Sequence, residues 1–173
     1  VSHEADIVIS IGIITVSTSR WQKYGDVEGL HALDIIDDES GRTLRDELSK
    51  FYNVVDYALV PDDEGKIVDK ILEMLERCEA VILTGGTGLS PKDVTIEAVT
   101  PLFKKEIPGF GELFRRLSYD EIGYNSILTR AAAGVVEDKA VFCLPGSKNA
   151  VKTALPIIIS TLRHIVSHAR GLK

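Results

Sequence analysis

VILTGGTGLSPKDVTIE, residues 81–97, is the stretch from which the architecture of this chain can be read. Val81 to Thr84 form a short β-favouring run bounded by glycines, the pattern of a buried strand that ends at a turn. Gly85, Gly86 and Gly88 allow backbone angles closed to other residues and leave main-chain N–H groups uncovered, so an anion can come close to the chain. Ser90-Pro91-Lys92-Asp93 then reads as a capping box, with Ser90 as cap, Pro91 in the first helical position and Asp93 three residues on. The spacing matches neither GxGxxG nor GxxxxGK[ST]. Two readings therefore stand on local chemistry: a phosphate-binding loop, or a glycine-rich strand-to-helix turn that is plain architecture.

Working outward, the chain alternates strand-like and helix-like segments. Ile7 to Val16 is almost wholly apolar and β-branched, as expected of a central strand covered on both faces. Asn53 to Val60 reads as a second strand, and Ala131 to Glu137 and Lys139 to Leu144 as two more around a charged turn. Helical spacing appears over Gly41 to Tyr52, with Leu44, Leu48 and Phe51 assigned to the core, and over Lys66 to Arg77. It recurs over Ile96 to Phe103, Glu112 to Leu117 and Asn149 to His168, the last with Ser147 or Asn149 as cap. Glu106 to Gly111 reads as a turn around Pro108, and Trp21 to Ser40 as irregular chain. This order predicts a three-layer α/β/α sandwich with a mainly parallel central sheet, organised as one domain over residues 1–173.

With 173 residues and 45% apolar content, the chain can bury a substantial core. A net charge of −6, mixed along the sequence, argues against nucleic acid as the main partner. No apolar run reaches the roughly 20 residues of a membrane span, and VSHEAD lacks the blocks of a signal peptide. Cys78 and Cys143 read as small core residues, which fits a reducing cytoplasm.

Candidate site residues gather where parallel strands would end. Ser17, Thr18, Ser19 and Arg20 follow the first strand, supplying hydroxyls and a guanidinium or simply a polar loop. The acids Asp34, Asp37, Asp38 and Glu39 can bind a divalent cation as a cluster, but read first as a solvated loop. Pro61-Asp62-Asp63-Glu64 follows the second strand, where acids also serve as helix caps. Arg115 and Arg116 read as solvated, or turned toward an anionic substrate or a neighbouring subunit. His164 and His168 are four apart but lack the Glu of HExxH, and read as surface residues at a helix C-terminus.

TGGTG followed by PKDVT resembles the signature of the molybdopterin adenylyltransferase family, the MogA/MoaB proteins and the gephyrin G domain. Val60-Pro61-Asp62-Asp63, Ile107-Pro108-Gly109-Phe110-Gly111-Glu112 and Leu144-Pro145-Gly146-Ser147 agree in order, and FRRLSYDEIG and LPGSKNAVKTA look like the MoaB branch. The resemblance implies that molybdopterin and Mg-ATP are converted to adenylylated molybdopterin and pyrophosphate. It implies Asp62 and Asp93 as catalytic acids holding Mg2+, with Gly85, Gly86, Thr87, Gly88, Pro145 and Gly146 around the nucleotide. Ser17, Thr18, Ser19, Arg20, Ser147 and Lys148 would seat the pterin. Asp38, Ser40 and Gly41 resemble the family's entry to its first helix, and in much of the family an acid occupies the site of Thr18. The alternative is a non-catalytic molybdopterin-binding or scaffold protein of the same pathway. The resemblance also implies a homotrimer or hexamer, for which Phe103 to Phe114 offers an apolar, glycine-rich contact surface. A valine at Gly86 is expected to impair nucleotide binding far more than folding.

Overall fold

The structure, a computed structural model, describes residues 7–172. Within them lies a seven-stranded sheet of β1 (Ser10–Val16), β2 (Val27–Glu28), β3 (Asn53–Val60), β4 (Ala80–Thr84), β5 (Lys105–Glu106), β6 (Ala132–Val136) and β7 (Lys139–Leu144). Its order is β2-β3-β1-β4-β7-β6-β5. The four inner strands β3, β1, β4 and β7 run parallel, and β2, β6 and β5 add antiparallel margins. Register places Val16 beside Val60, Thr15 beside Thr84, and Thr84 beside Leu144, so these four strands end side by side.

Side chains alternate between two cores. Ile11, Ile13, Tyr57, Ile82 and Phe142 face α2 (Glu39–Leu48), α5 (Pro108–Ile122) and α6 (Lys148–Ala169). Ile14, Ala58, Val81, Leu83 and Cys143 face α3 (Glu64–Leu75) and α4 (Thr95–Val99). The inner strands are therefore buried on both faces, which explains their unbroken apolar runs. Each fully buried Ile or Leu contributes on the order of 1.5–3 kcal/mol.

The chain leaves β1 for β3 on one side and returns past β1 to β4 on the other. This reversal opens a crevice at the C-terminal ends of β1 and β4, the place where open α/β sheets hold ligands.

Four local expectations are corrected. Ser17 caps a helix, α1 (Thr18–Tyr24), in a region read as irregular; no residue of α1 is fully buried, so it has no apolar stripe to reveal it. Ser90–Asp93 closes a turn, and the helix waits until Thr95, with Val94 as an uncapped entry. Half the capping box forms, since the Ser90 N–H donates to Asp93 Oδ2 at 3.0 Å, but Ser90 Oγ accepts from Lys92 N. Phe51 is 57% exposed because α2 ends at Leu48, before it could bring that side chain round to the core. Pro108 opens α5, where a turn was expected: proline suits the first helical position, which needs no N–H.

Candidate functional site

Gly85 begins the loop after β4. Its φ is +107°, its N–H donates to Leu144 O of β7 at 2.8 Å, and a Cβ there would lie 2.2 Å from Val16 O. Only glycine lets β1, β4 and β7 converge this closely. At Gly86 φ is +74°, and a Cβ would strike Thr95 Oγ1 at 2.2 Å. Thr95 is buried and fastens the loop twice, donating from Oγ1 to Gly85 O at 2.7 Å and from N to Gly86 O at 3.1 Å. A side chain at Gly86 therefore damages the fold as well as any ligand surface, contrary to the expectation for valine.

Both carboxylates of interest back onto this loop. Asp62 follows β3, and a Cβ on Gly86 would come within 3.4 Å of its Oδ1. Its Oδ2 accepts from Thr18 Oγ1 at 2.6 Å and from Thr18 N at 3.2 Å, while the Asp62 N–H donates to Thr18 Oγ1 at 3.0 Å. A hydroxyl at position 18, where the resemblance leads one to expect an acid, can donate to Asp62; an ionised carboxylate there could only repel it. Asp63, the next residue, caps α3, so of the two adjacent acids one serves the helix entry while the other, Asp62, is bonded to Thr18. Asp93 Oδ2 accepts from Ser90 N and would lie 2.7 Å from a Cβ on Gly88. Each carboxylate thus has one oxygen held by the chain, and both are half-buried.

Gly86, Thr87, Gly88, Asp93, Pro145 and Gly146 line a cleft of about 370 Å³, together with Asn125, Leu128 and Thr129. Thr84 Oγ1 donates to Pro145 O at 2.9 Å and Ser40 Oγ to Gly146 O at 3.0 Å, tying the β7–α6 loop to β4 and α2. The other predicted residues sit at the same strand ends but outside this lining. Ser17 caps α1, Ser147 caps α6, Arg20 donates to Asp37 O at 2.8 Å, and Lys148 pairs with Glu39. A larger cavity, about 730 Å³, lies at the opposite end of the sheet between β6 and the last turns of α6, with Lys104, Glu137, His164 and His168 on its wall. Asp93 and the glycine loop line the smaller one, and Asp62 lies beside Gly86, outside that lining.

Sequence reasoning missed several contributors. Asn125, Leu128 and Thr129 come from a 3₁₀ turn after α5 that carries no local motif. Asp38, at the helix entry as the resemblance implied, caps α2, but its full burial was not foreseen: it accepts from Thr15 Oγ1 at 2.6 Å, Tyr57 Oη at 2.5 Å and Gly41 N at 3.0 Å, and so holds the start of α2 against β1 and β3. Burial and the neighbouring Asp38 push the Tyr57 phenol well above its ordinary range, so it is a permanent donor.

Among the described residues no three or more His, Cys, Asp or Glu side chains cluster as a metal site. Two half-buried carboxylates flanking the glycine loop, Asp62 at Gly86 and Asp93 at Gly88, are a donor set that fits Mg2+, which keeps waters and takes ligands from substrate phosphates.

Residues 12–164 match the family model of a probable molybdopterin binding domain. The molybdopterin adenylyltransferase of Pyrococcus furiosus is 43% identical over 172 residues, covering 96% of this chain and 95% of that protein. Molybdenum cofactor biosynthesis protein B of Bacillus subtilis is 41% identical, over 97% of this chain and 94% of its own. The crystal structure of the tungsten cofactor synthesizing protein MoaB from Pyrococcus furiosus superposes with a TM-score of 0.83 at 42% identity, covering 94% of this chain and 98% of that one. With the strand order, the glycine loop and near full-length identity in agreement, this chain belongs to the probable molybdopterin binding domain family, alongside the MoaB proteins.

Proposed function

We propose that this protein is a molybdopterin adenylyltransferase, which joins the terminal phosphate of molybdopterin to the adenylyl group of ATP and releases pyrophosphate. A phosphate oxygen of the pterin attacks the α-phosphorus in line, a new P–O bond forms, and the bond to the departing pyrophosphate breaks. The nucleophile is already anionic, so the chain need not supply a base; positioning and charge neutralisation carry the reaction. The observation that carries this reading is the pair Asp62 and Asp93, each anchored through one oxygen and backed against the loop at Gly86 and Gly88. These two residues would hold Mg2+, whose charge offsets that of the phosphates when bound.

The chain's own contributions are distinct. Thr18 orients Asp62, and the Ser90–Asp93 turn orients Asp93. The loop 85–88 with Pro145 and Gly146 accommodates the nucleotide through main-chain surface. Ser17, Ser19, Arg20, Ser147 and Lys148 form the rim that meets the pterin.

The protein works as a homo-oligomer, a trimer or a hexamer, in a reducing cytoplasm. Phe110 and Phe114, part of the expected contact surface, are only 4% and 1% exposed and belong to the chain's own core. Support comes instead from exposed apolar residues beside and after them, Leu113, Ile122, Tyr124 and Ile127, which are 46%, 56%, 81% and 76% exposed. Light scattering that gives the monomer mass at micromolar concentration would remove the oligomer.

Incubation with molybdopterin and Mg-ATP, with the pterin product identified by mass, tests the reaction. Pyrophosphate release that requires molybdopterin is the expected result. Tight molybdopterin binding without pyrophosphate would make the protein a binding or scaffold component.

A further inference from the structure

We propose that Arg130 is a positioning residue for Asp93, holding the outer side of the glycine loop so that the carboxylate keeps its place at the cleft. The proposal rests on the reading of Asp93 as a ligand of the Mg-nucleotide.

Arg130 lies in the segment that leads into β6, about forty residues from the loop it contacts. Its N–H donates to Thr87 O at 2.9 Å. Nε and Nη2 both donate to Gly88 O, at 3.1 and 2.7 Å, and Nη2 also reaches Asp93 O at 3.4 Å. The remaining face of the guanidinium pairs with the Glu97 carboxylate, with Nη2 to Oε1 at 3.0 Å. One planar cation therefore ties together both ends of the turn 88–93, and Glu97 sets the plane of the fork.

The turn has little else to hold it. Leu89, Ser90, Pro91 and Lys92 are all exposed, and their bonds are internal to the turn. Arg130 acts from behind the loop: it lines the neighbouring cavity beside Ile96 and Arg115, and is not among the residues of the cleft itself. Turning the Gly88 carbonyl toward a cation behind the loop also keeps that electronegative oxygen from facing phosphate. A lysine offers a point charge, which can satisfy one acceptor but cannot fork across a carbonyl and a carboxylate at fixed angles.

The test is steady-state pyrophosphate release by the full chain, with thermal unfolding of each variant alongside. Arg130→Ala is expected to lower kcat on the order of 10-fold and to raise the Mg2+ concentration needed for half-maximal rate, with the KM for molybdopterin within about twofold of wild type. Arg130→Lys should recover only part of the rate. In an Asp93→Asn background, Arg130→Ala should cost less than about twofold more, because a residue that acts through Asp93 has nothing left to position. Glu97→Gln, which frees the guanidinium without removing it, should shift the same two readouts in the same direction by roughly 2- to 5-fold, and serves if Arg130→Ala does not fold. Multiplicative losses in the double variant, or a lowered melting temperature with unchanged kcat and Mg2+ dependence, overturn the proposal. Normal turnover by Asp93→Asn alone overturns instead the reading of Asp93 beneath it, and the single variant separates the two.

Discussion

Replacing Thr18 by valine removes one hydroxyl and almost no volume, and isolates what that hydroxyl does for Asp62. Thr18 Oγ1 donates to Asp62 Oδ2 at 2.6 Å and accepts the Asp62 N–H at 3.0 Å, so the substitution deletes a charge-assisted bond and strands a backbone donor. A hydrogen bond to a charged group is worth about 1.5–3 kcal/mol, but Asp62 is half-buried, so water recovers part of it. The Thr18 N–H contact at 3.2 Å persists and retains some orientation. A net loss of about 1–2 kcal/mol follows, and if Asp62 positions Mg-ATP it appears as a roughly 5- to 30-fold fall in kcat/KM for the nucleotide. Pyrophosphate release at saturating molybdopterin with varied Mg-ATP measures it, and Thr18→Ser, which keeps the hydroxyl, should stay near wild type. A folded Thr18→Val protein within twofold of wild type would refute the claim that this hydroxyl orients a catalytic carboxylate.

Asp62→Asn and Asp93→Asn should each lower turnover on the order of 10²-fold, about 2.7 kcal/mol, with molybdopterin binding largely kept; the double variant should lose less than the product because both acids serve one ion. Pyrophosphate kinetics with parallel pterin titrations would show otherwise if either acid is only a cap. Gly86→Ala should destabilise the fold by roughly 2–4 kcal/mol, since φ is +74° and the new methyl forces Thr95 from Gly85 O; denaturant titration reads this directly, and a loss under 1 kcal/mol would remove the strain argument. Burial pushes the Cys78 thiol from its ordinary 9.0 to about 11. The raised value in the folded state means that its contribution is complete below pH 9 and declines by about 1.4 kcal/mol per pH unit as pH rises toward 11. Cys78→Ala should therefore flatten the alkaline fall in unfolding free energy, and an equal slope in both proteins would contradict it.

What the sequence determined by itself was whatever depends on neighbours along the chain. Buried strands announce themselves as runs such as Ile11 to Val16 and Val81 to Thr84, because both faces of the sheet are covered. Glycines at 85 and 86 mark a turn that no other residue could make, and Ser147 caps α6 as its position suggests. The family resemblance rests on the same short motifs. Only the tertiary structure decided between roles that identical local chemistry permits. Asp62 and Asp63 are adjacent acids after one strand, yet Asp63 caps a helix while Asp62 is drawn to Thr18 across the sheet, 44 positions earlier in the chain. Asp38 sits at a helix entry that the resemblance anticipated, yet only the arrival of Thr15 and Tyr57 from two different strands buries and satisfies it. Arg130 and Thr129 meet the glycine loop only because β6 folds back along β7. Local patterns record which backbone conformation a segment prefers, but a polar side chain's role depends on which donors and charges surround it. Those partners are brought together by sheet order, which no stretch of the sequence contains.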